Sequence, residues 1–341
     1  SKKTSVKNIY NILFSSDGKI LVSTSDFTIR SLNIDTKEIG INEVNYKKFK
    51  SVNTKIESIA LHKEILAVIN NAGIIYFWDV IEGKYIENSE ISIPQGRENK
   101  IISIKFSPCG NFLILSGIVI EVLHIQSREI VKLKEMVFKG NFKEYTTIVF
   151  SPNGQKFASG NNFGEIDLWK FNNTTRNIDE KFNHIQTINT TEKSINSIAF
   201  SSDSKLLASG GEDNIIKLWN VENRELISEL PIELKKSHEI LSIIFSSDNK
   251  FMATMTGIII SGKYYTDTII SLWDISNIHK IKRIKKNFKK RGLITNTITF
   301  SPDSKILASA GEVKNIQMET YYEDNPIIFW DISSMQTGGR K

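Results

Sequence analysis

The chain holds a single cysteine, Cys109, among its 341 residues, which excludes an intrachain disulfide and fits a reducing compartment. No apolar run approaches the ~20 residues that a membrane-spanning helix needs, and Ser1 to Tyr10 is polar, without the apolar stretch of a signal peptide. The expectation is therefore a cytoplasmic protein, with a membrane partner disfavoured. Chemistry is equally sparse. The five histidines (His62, His124, His184, His238 and His279) form no H-E-x-x-H or other tight ligand spacing, and one cysteine offers no zinc pair. No G-x-S-x-G nucleophile elbow occurs. Gly257-Ile-Ile-Ile-Ser-Gly262-Lys263-Tyr264 mimics the phosphate-binding pattern G-x-x-x-x-G-K-[ST]. Tyr264, however, stands where the Mg²⁺-holding hydroxyl belongs, and the run is Ile-rich and β-like, so it reads as a strand entering a loop. The expectation is no enzyme activity, no metal and no cofactor. Proline is scarce while Ile, Asn and Lys abound, a bias of the source rather than a function; the N-x-T tripeptides at Asn172, Asn173 and Asn189 follow from it.

What is present is ordinary for a globular protein: 40% hydrophobic and 24% charged residues, with a net charge of +6 that mildly favours acidic partners. The informative feature is repetition. Phe14-Ser-Ser-Asp-Gly-Lys returns as Phe106-Ser-Pro-Cys-Gly-Asn, Phe150-Ser-Pro-Asn-Gly-Gln, Phe200-Ser-Ser-Asp-Ser-Lys, Phe245-Ser-Ser-Asp-Asn-Lys and Phe300-Ser-Pro-Asp-Ser-Lys, with a degenerate copy at Leu61-His-Lys-Glu. Each copy lies between two apolar runs. Pro presets φ, Asp bonds the turn backbone and Gly or Asn accepts φ > 0, so each phrase is the turn of a β-hairpin. A second phrase follows each hairpin, and all five tryptophans occupy it: Trp78, Trp169, Trp219, Trp273 and Trp330. Leu32 and Leu123 fill the same slot in the first and third copies, giving a spacing of 45 to 57 residues.

This pattern resembles the WD40-repeat family, whose unit of roughly 40–45 residues has four strands with Trp-Asp ending the third. The resemblance covers nearly the whole chain. It implies an all-β, seven-bladed β-propeller of four-stranded antiparallel blades over residues 1–341, with inner strands beginning near 9, 56, 101, 145, 195, 240 and 294. It also implies a network locking each blade, made of a Gly-His histidine, a strand Ser or Thr, a turn Asp and the Trp. Here the Gly-His position reads Gly96-Arg97 and Gly140-Asn141, and the turn Asp survives clearly only as Asp213, so fragmentary networks are expected. Packing of large side chains, each worth roughly 1.5–3 kcal/mol when fully buried, must then carry more of the stability. Neither end of the chain offers a convincing outer strand. The last blade is therefore expected to be three-stranded or to be closed by a segment or partner outside this chain, as in a domain of a larger protein.

In the family, the second-to-third and outer-to-inner loops share one face. Two second-to-third loops are long: 256–268 in the sixth blade, with Tyr264 and Tyr265, and 311–326 in the seventh, with Tyr321 and Tyr322. Paired tyrosines are good interface anchors. Between them lies the most basic stretch, 280–291, which reads as an edge strand protected by lysines, with Ile281 and Ile284 inward. Its far end, Lys289, Lys290 and Arg291, is the alternative of an electrostatic patch. Phe288-Lys-Lys-Arg-Gly also loosely resembles the Phe-Arg-Arg-Gly motif of phosphoinositide-binding propellers. The resulting expectation is a monomeric, non-catalytic scaffold or recognition module binding a protein partner. The alternative is a binder of nucleic acid or acidic phospholipid through the basic patch, betrayed by steep salt dependence. Catalysis would require carboxylates converging at the channel mouth, which nothing in the sequence indicates.

Overall fold

The computed structural model describes residues 9–25, 28–35, 39–40, 55–87, 89–93, 101–128, 130–135, 144–172, 181–190, 193–232, 238–260, 264–288, 293–313 and 327–335. Every repeat phrase joins two antiparallel strands, and the strands assemble into seven separate sheets. The sheets are the blades of a propeller. Their first strands are Asn11–Phe14, Ile56–His62, Ser103–Phe106, Tyr145–Phe150, Ile195–Phe200, His238–Phe245 and Leu293–Phe300. These neighbour one another around the ring and form its inner wall. Blades 1, 3, 4, 5 and 6 are four-stranded in sequential order. In blade 2 the outer strand is split, Lys84–Tyr85 and Ile91–Ser92 both pairing with Ile74–Asp79. Blade 7 has three strands among the described residues, ending at Ile327–Asp331.

The core lies between blades, because a single sheet leaves two apolar faces to cover. Along the third strand of blade 5, Trp219 points one way and Leu218 and Ile216 the other. Trp219 packs with Ile166 and Leu168 of blade 4, while Leu218 and Ile216 pack with Trp273 and Met252 of blade 6. Each blade thus presents its tryptophan face to the preceding blade. Blade 7 meets blade 1 through a leaner set, Ala308 and Ala310 against Ile9, Ile12 and Leu21.

Two rings of polar contacts tie the blades together. On one face are the hairpin turns. Ser15, Ser201, Ser246 and Ser301 each donate from Oγ to the turn aspartate at 2.6 Å. That bond, more than any charge, holds the Asp17 and Asp303 carboxyls below their ordinary pKa. The fourth turn residue has positive φ in six blades, from 57° at Asn249 to 77° at Gly110, and the shorter turn of blade 2 has it at Lys63 (52°). Ser and Asn adopt this unfavourable region where they serve the neighbouring blade. Ser204 Oγ accepts from Asn153 N (3.0 Å), Asn249 Oδ1 from Ser202 N (2.7 Å) and Ser304 Oγ from Asp248 N (3.1 Å). Where the residue is Gly, an apolar contact replaces the bond: Gly18 lies against Pro302, carrying the ring from blade 7 to blade 1.

On the opposite face, five inner strands carry a β-bulge near their start. Bulge side chains reach the next blade. Asn296 Nδ2 donates to Ile9 O (3.0 Å), Asn196 Nδ2 to Ile240 O (3.2 Å) and Thr146 Oγ1 to Ile195 O. The first of these again crosses from blade 7 to blade 1. Opposite two bulges the partner strand approaches so closely that only Gly fits. A Cβ on Gly211 would lie 1.9 Å from Ser194 O, and one on Gly311 1.9 Å from Ile294 O. Gly211→Ala is expected to cost about 2–3 kcal/mol in guanidinium denaturation, through overpacking against backbone that cannot retreat. A loss below about 0.5 kcal/mol would show that the bulge is not fixed by this contact.

Candidate interaction face

The tryptophan slot is built by cross-strand pairing. Trp169, Trp219, Trp273 and Trp330 donate from Nε1 to Ser159 (3.4 Å), Ser209 (3.0 Å), Thr254 (3.0 Å) and Ser309 (3.0 Å) on the second strand of the same blade. In blade 2 the equivalent position, opposite Tyr76, is Val68, which has no hydroxyl. The other half of each network is rewired. Asp213 accepts from Ile215 N (3.2 Å) and from the ammonium of Lys217, which is buried two residues before Trp219. In blade 4 the carboxylate comes from the strand itself. Asp167 is fully buried and receives Tyr145 OH (3.0 Å), His184 Nε2 (3.1 Å) and Thr187 Oγ1 (2.5 Å), with the His184 ring edge-on to Trp169 at 4.9 Å. Carboxylate and hydroxyl both meet the same imidazole nitrogen, so the cluster braces a seam and is not a relay aimed at a nucleophile.

The face on which inner strands start and second strands end carries the second-to-third turns. In blades 2 and 4, Asn70 and Asn161 accept from the backbone of the tight second-to-third turns; the Asn161 turn holds Phe163 out at 37% exposure. Tyr10, at the start of blade 1, is 38% exposed on the same face. Neither aromatic stands out in the sequence; the signal was the Asn-Asn-Phe-Gly turn, which presents its third residue. The expected long loop over 256–268 is instead mostly strand. Phe251–Ile260 and Tyr264–Asp274 form a hairpin in which Ile259 pairs with Tyr265 and Ile260 with Tyr264, beyond the last inner-strand pair at His238 and Ile258. A run of isoleucines followed by Tyr-Tyr-Thr favours a pleated ladder over a loop. Tyr264 and Tyr265 are thus placed by their backbone on a two-stranded rib at this face.

Tyr321, Tyr322, Lys289, Lys290 and Arg291 lie outside the described residues. The basic segment before them is an outer strand, Lys282–Phe288, with Ile284 opposite Leu272. Arg283 donates to Ser271 Oγ at 2.7 Å and lies 5.9 Å from the Trp273 ring. Phe288 is buried, edge-on to Trp330 at 5.4 Å, and belongs to the core. Among the described residues no group of three or more His, Cys, Asp or Glu is arranged to hold a metal ion, and no helix is long and apolar enough to cross a membrane.

Comparison with known proteins agrees with this geometry. The family model "WD domain, G-beta repeat" matches residues 3–31 and 182–220. This chain is a WD40-repeat propeller. The WD repeat-containing protein AAC3 of Dictyostelium discoideum is 27% identical over 196 residues, 57% of this chain and 38% of its own length. Protein HIR1 of Kluyveromyces lactis is 24% identical, covering 55% of this chain and 23% of its own length. The rice (Oryza sativa subsp. japonica) guanine nucleotide-binding protein subunit beta is 24% identical, covering 60% and 51%. The chain therefore spans about half or less of the length of these relatives. In fold, the propeller matches the β-propeller domain of Cps50 (Swd1) from Myceliophteria thermophila with a TM-score of 0.70 at 13% identity, covering 91% of this chain and 95% of that one. A chain of the mitotic checkpoint complex matches with a TM-score of 0.69 at 15% identity, covering 94% and 86%.

The rewired network of this WD40 propeller has a measurable consequence. Burial, and then the neighbouring Asp167 carboxylate, raise the Tyr145 hydroxyl above its ordinary pKa of 10.0. A group raised in the folded state contributes its full stability below about pH 10 and loses it as pH climbs further. Tyr145→Phe is expected to cost about 1–3 kcal/mol at pH 7 and to shallow the alkaline decline in stability above pH 10. Urea denaturation at pH 7 and pH 10.5 checks both; unchanged stability at pH 7 would show that the Tyr145 hydroxyl does not brace the blade through Asp167.

Proposed function

We propose that this WD40 propeller is a non-catalytic interaction scaffold that binds a protein partner across the face bearing the blade 6 rib. The observation that carries the reading is that rib. Its strands of 10 and 11 residues extend past the sheet, on the face where Tyr10 and Phe163 stand in solvent. Exposed aromatics on a rigid frame supply large contact area at little entropic cost. A structural neighbour solved as part of the mitotic checkpoint complex supports the reading, because that propeller works inside a protein assembly. The strands flanking residues 314–326 end and resume on this face at Val313 and Ile327, so the test includes Tyr321 and Tyr322, which lie outside the described residues.

The test is a pull-down from source-cell lysate with the intact chain and two variants. One carries Tyr264, Tyr265, Tyr321 and Tyr322 as Ala; the other carries Tyr10→Ala with Phe163→Ala. A protein retained by the parent at moderate salt and lost from either variant is expected. Retention of the same protein by both variants, or of nucleic acid that elutes at moderate salt from all three, would overturn the proposed face.

A further inference from the structure

The hairpin-turn face, opposite the blade 6 rib, carries carboxylates around most of its ring. Five of its turns hold one: Asp17, Glu64, Asp203, Asp248 and Asp303. Three third strands end on one as well, at Asp79, Asp274 and Asp331. Blades 3 and 4 have none at either position. Their turns hold Cys109 and Asn153, and the residues after their Trp slots are His124 and Lys170. The departure is sharpest in blade 4. In blades 1, 2, 5, 6 and 7 the residue after the slot is Asn33, Asp79, Asn220, Asp274 or Asp331, and each accepts a backbone N–H from two residues on. Each also stands opposite an apolar residue of the second strand: Ile20, Ile65, Leu206, Phe251 or Ile306. In blade 4 both positions are lysine, Lys170 directly opposite Lys156. An ammonium accepts no bond, so the cap is forfeited. Like charges directly opposite one another also destabilise a sheet.

Little offsets this repulsion. Among the described residues Lys170 has no ion pair. Lys156 reaches Val221 O and the Glu222 carboxylate, both at 3.4 Å, and the Glu222 side chain is 93% exposed, so that pair is weak. A local conflict kept without structural gain is of the kind found at functional sites. Both lysines line a groove of about 770 Å³ at the junction of blades 3 and 4, together with Pro108, Asn153, Gln155 and Phe171. Ligand clefts typically measure roughly 300–1,000 Å³. Lys181 adds a third cation beside it: its carbonyl accepts from Asn172 N in the groove wall, and its ammonium lies 5.5 Å from the Phe112 ring. We propose that this groove binds an acidic peptide segment, with carboxylates on Lys156 and Lys170, chain amides on Asn153 and Gln155, and an apolar side chain against Pro108. Charge-assisted bonds to the two ammonium groups supply most of the affinity. Phe171 is buried, so the lining offers no aromatic face on which a base could stack, and the groove suits a peptide better than single-stranded nucleic acid.

The test is fluorescence anisotropy of the intact chain with a short labelled peptide of alternating Glu and Leu, its counterpart with Gln for Glu, and labelled oligo-dT. The Glu peptide is expected to bind and the Gln peptide not to. Lys156→Leu combined with Lys170→Asn gives blade 4 the pair found in blade 5, Leu206 opposite Asn220, so the fold should be kept. Affinity of that variant for the Glu peptide should fall about tenfold or more. Lys156→Arg combined with Lys170→Arg should retain binding. Cys109 is a free, exposed thiol that also lines the groove, so bound Glu peptide should slow its alkylation by iodoacetamide in the parent chain, a readout that needs no variant. Failure of the parent to bind the Glu peptide, equal binding by the Leu/Asn variant, alkylation unslowed by the peptide, or tighter binding of oligo-dT than of the Glu peptide would overturn the proposal.

Discussion

A four-stranded β-sheet has two faces and no way to bury both by itself. Everything else in this protein follows from that constraint. Each blade hides its tryptophan face against the preceding blade and its Leu, Ile and Ala face against the next, as Trp219 and Leu218 show in blade 5. A row of blades would leave an apolar face bare at each end, so the row must close. Closure falls to blades 7 and 1, where the apolar set is leanest and polar contacts matter more. Asn296 reaches Ile9 on one face and Pro302 meets Gly18 on the other.

The repeat was legible because its signals are local. Alternating apolar residues, the Ser-Pro-Asp-Gly turn and the Trp slot each depend on a few neighbouring positions, and all survive in a single sequence. What was hidden depends on residues brought together across strands. The position two before each Trp slot reads Arg30, Tyr76, Glu121, Asp167, Lys217, Ser271 and Ile328, with no common chemistry. Only the pairing of Asp167 with Thr187, and the nearness of Tyr145 and His184, shows that it can seat a buried charge. The blade 6 rib falls within the segment 256–268 expected as a long loop, but the β-preference of Ile-Ile-Ile and Tyr-Tyr-Thr extends the hairpin through most of it. The turn serines at 204 and 304 look like poor substitutes for Gly until their hydrogen bonds to the neighbouring blade are seen.

Of the expected binding residues, only Tyr264 and Tyr265 are placed, and by backbone alone. The structure adds Tyr10 and Phe163, which the sequence did not flag because isolated exposed aromatics carry no pattern. The proposed division of labour is simple. Blade seams hold the large apolar side chains and the paired buried charges, and leave the turn faces free to vary. In that proposal, function depends on what individual blades add: a rib on blade 6 and a presented Phe in blade 4.

The central claim is that the seven blades support one another as a closed ring. Native-state hydrogen exchange of the inner-strand amides, followed through increasing sub-denaturing guanidinium, tests it most directly. The account predicts that protected amides of all seven inner strands, including Ile12 in blade 1 and Ile298 in blade 7, converge on one opening free energy. Distinct plateaus, with blades 1 and 7 opening far below a stable block of blades 3 to 6, would contradict a closed ring and describe an open stack instead.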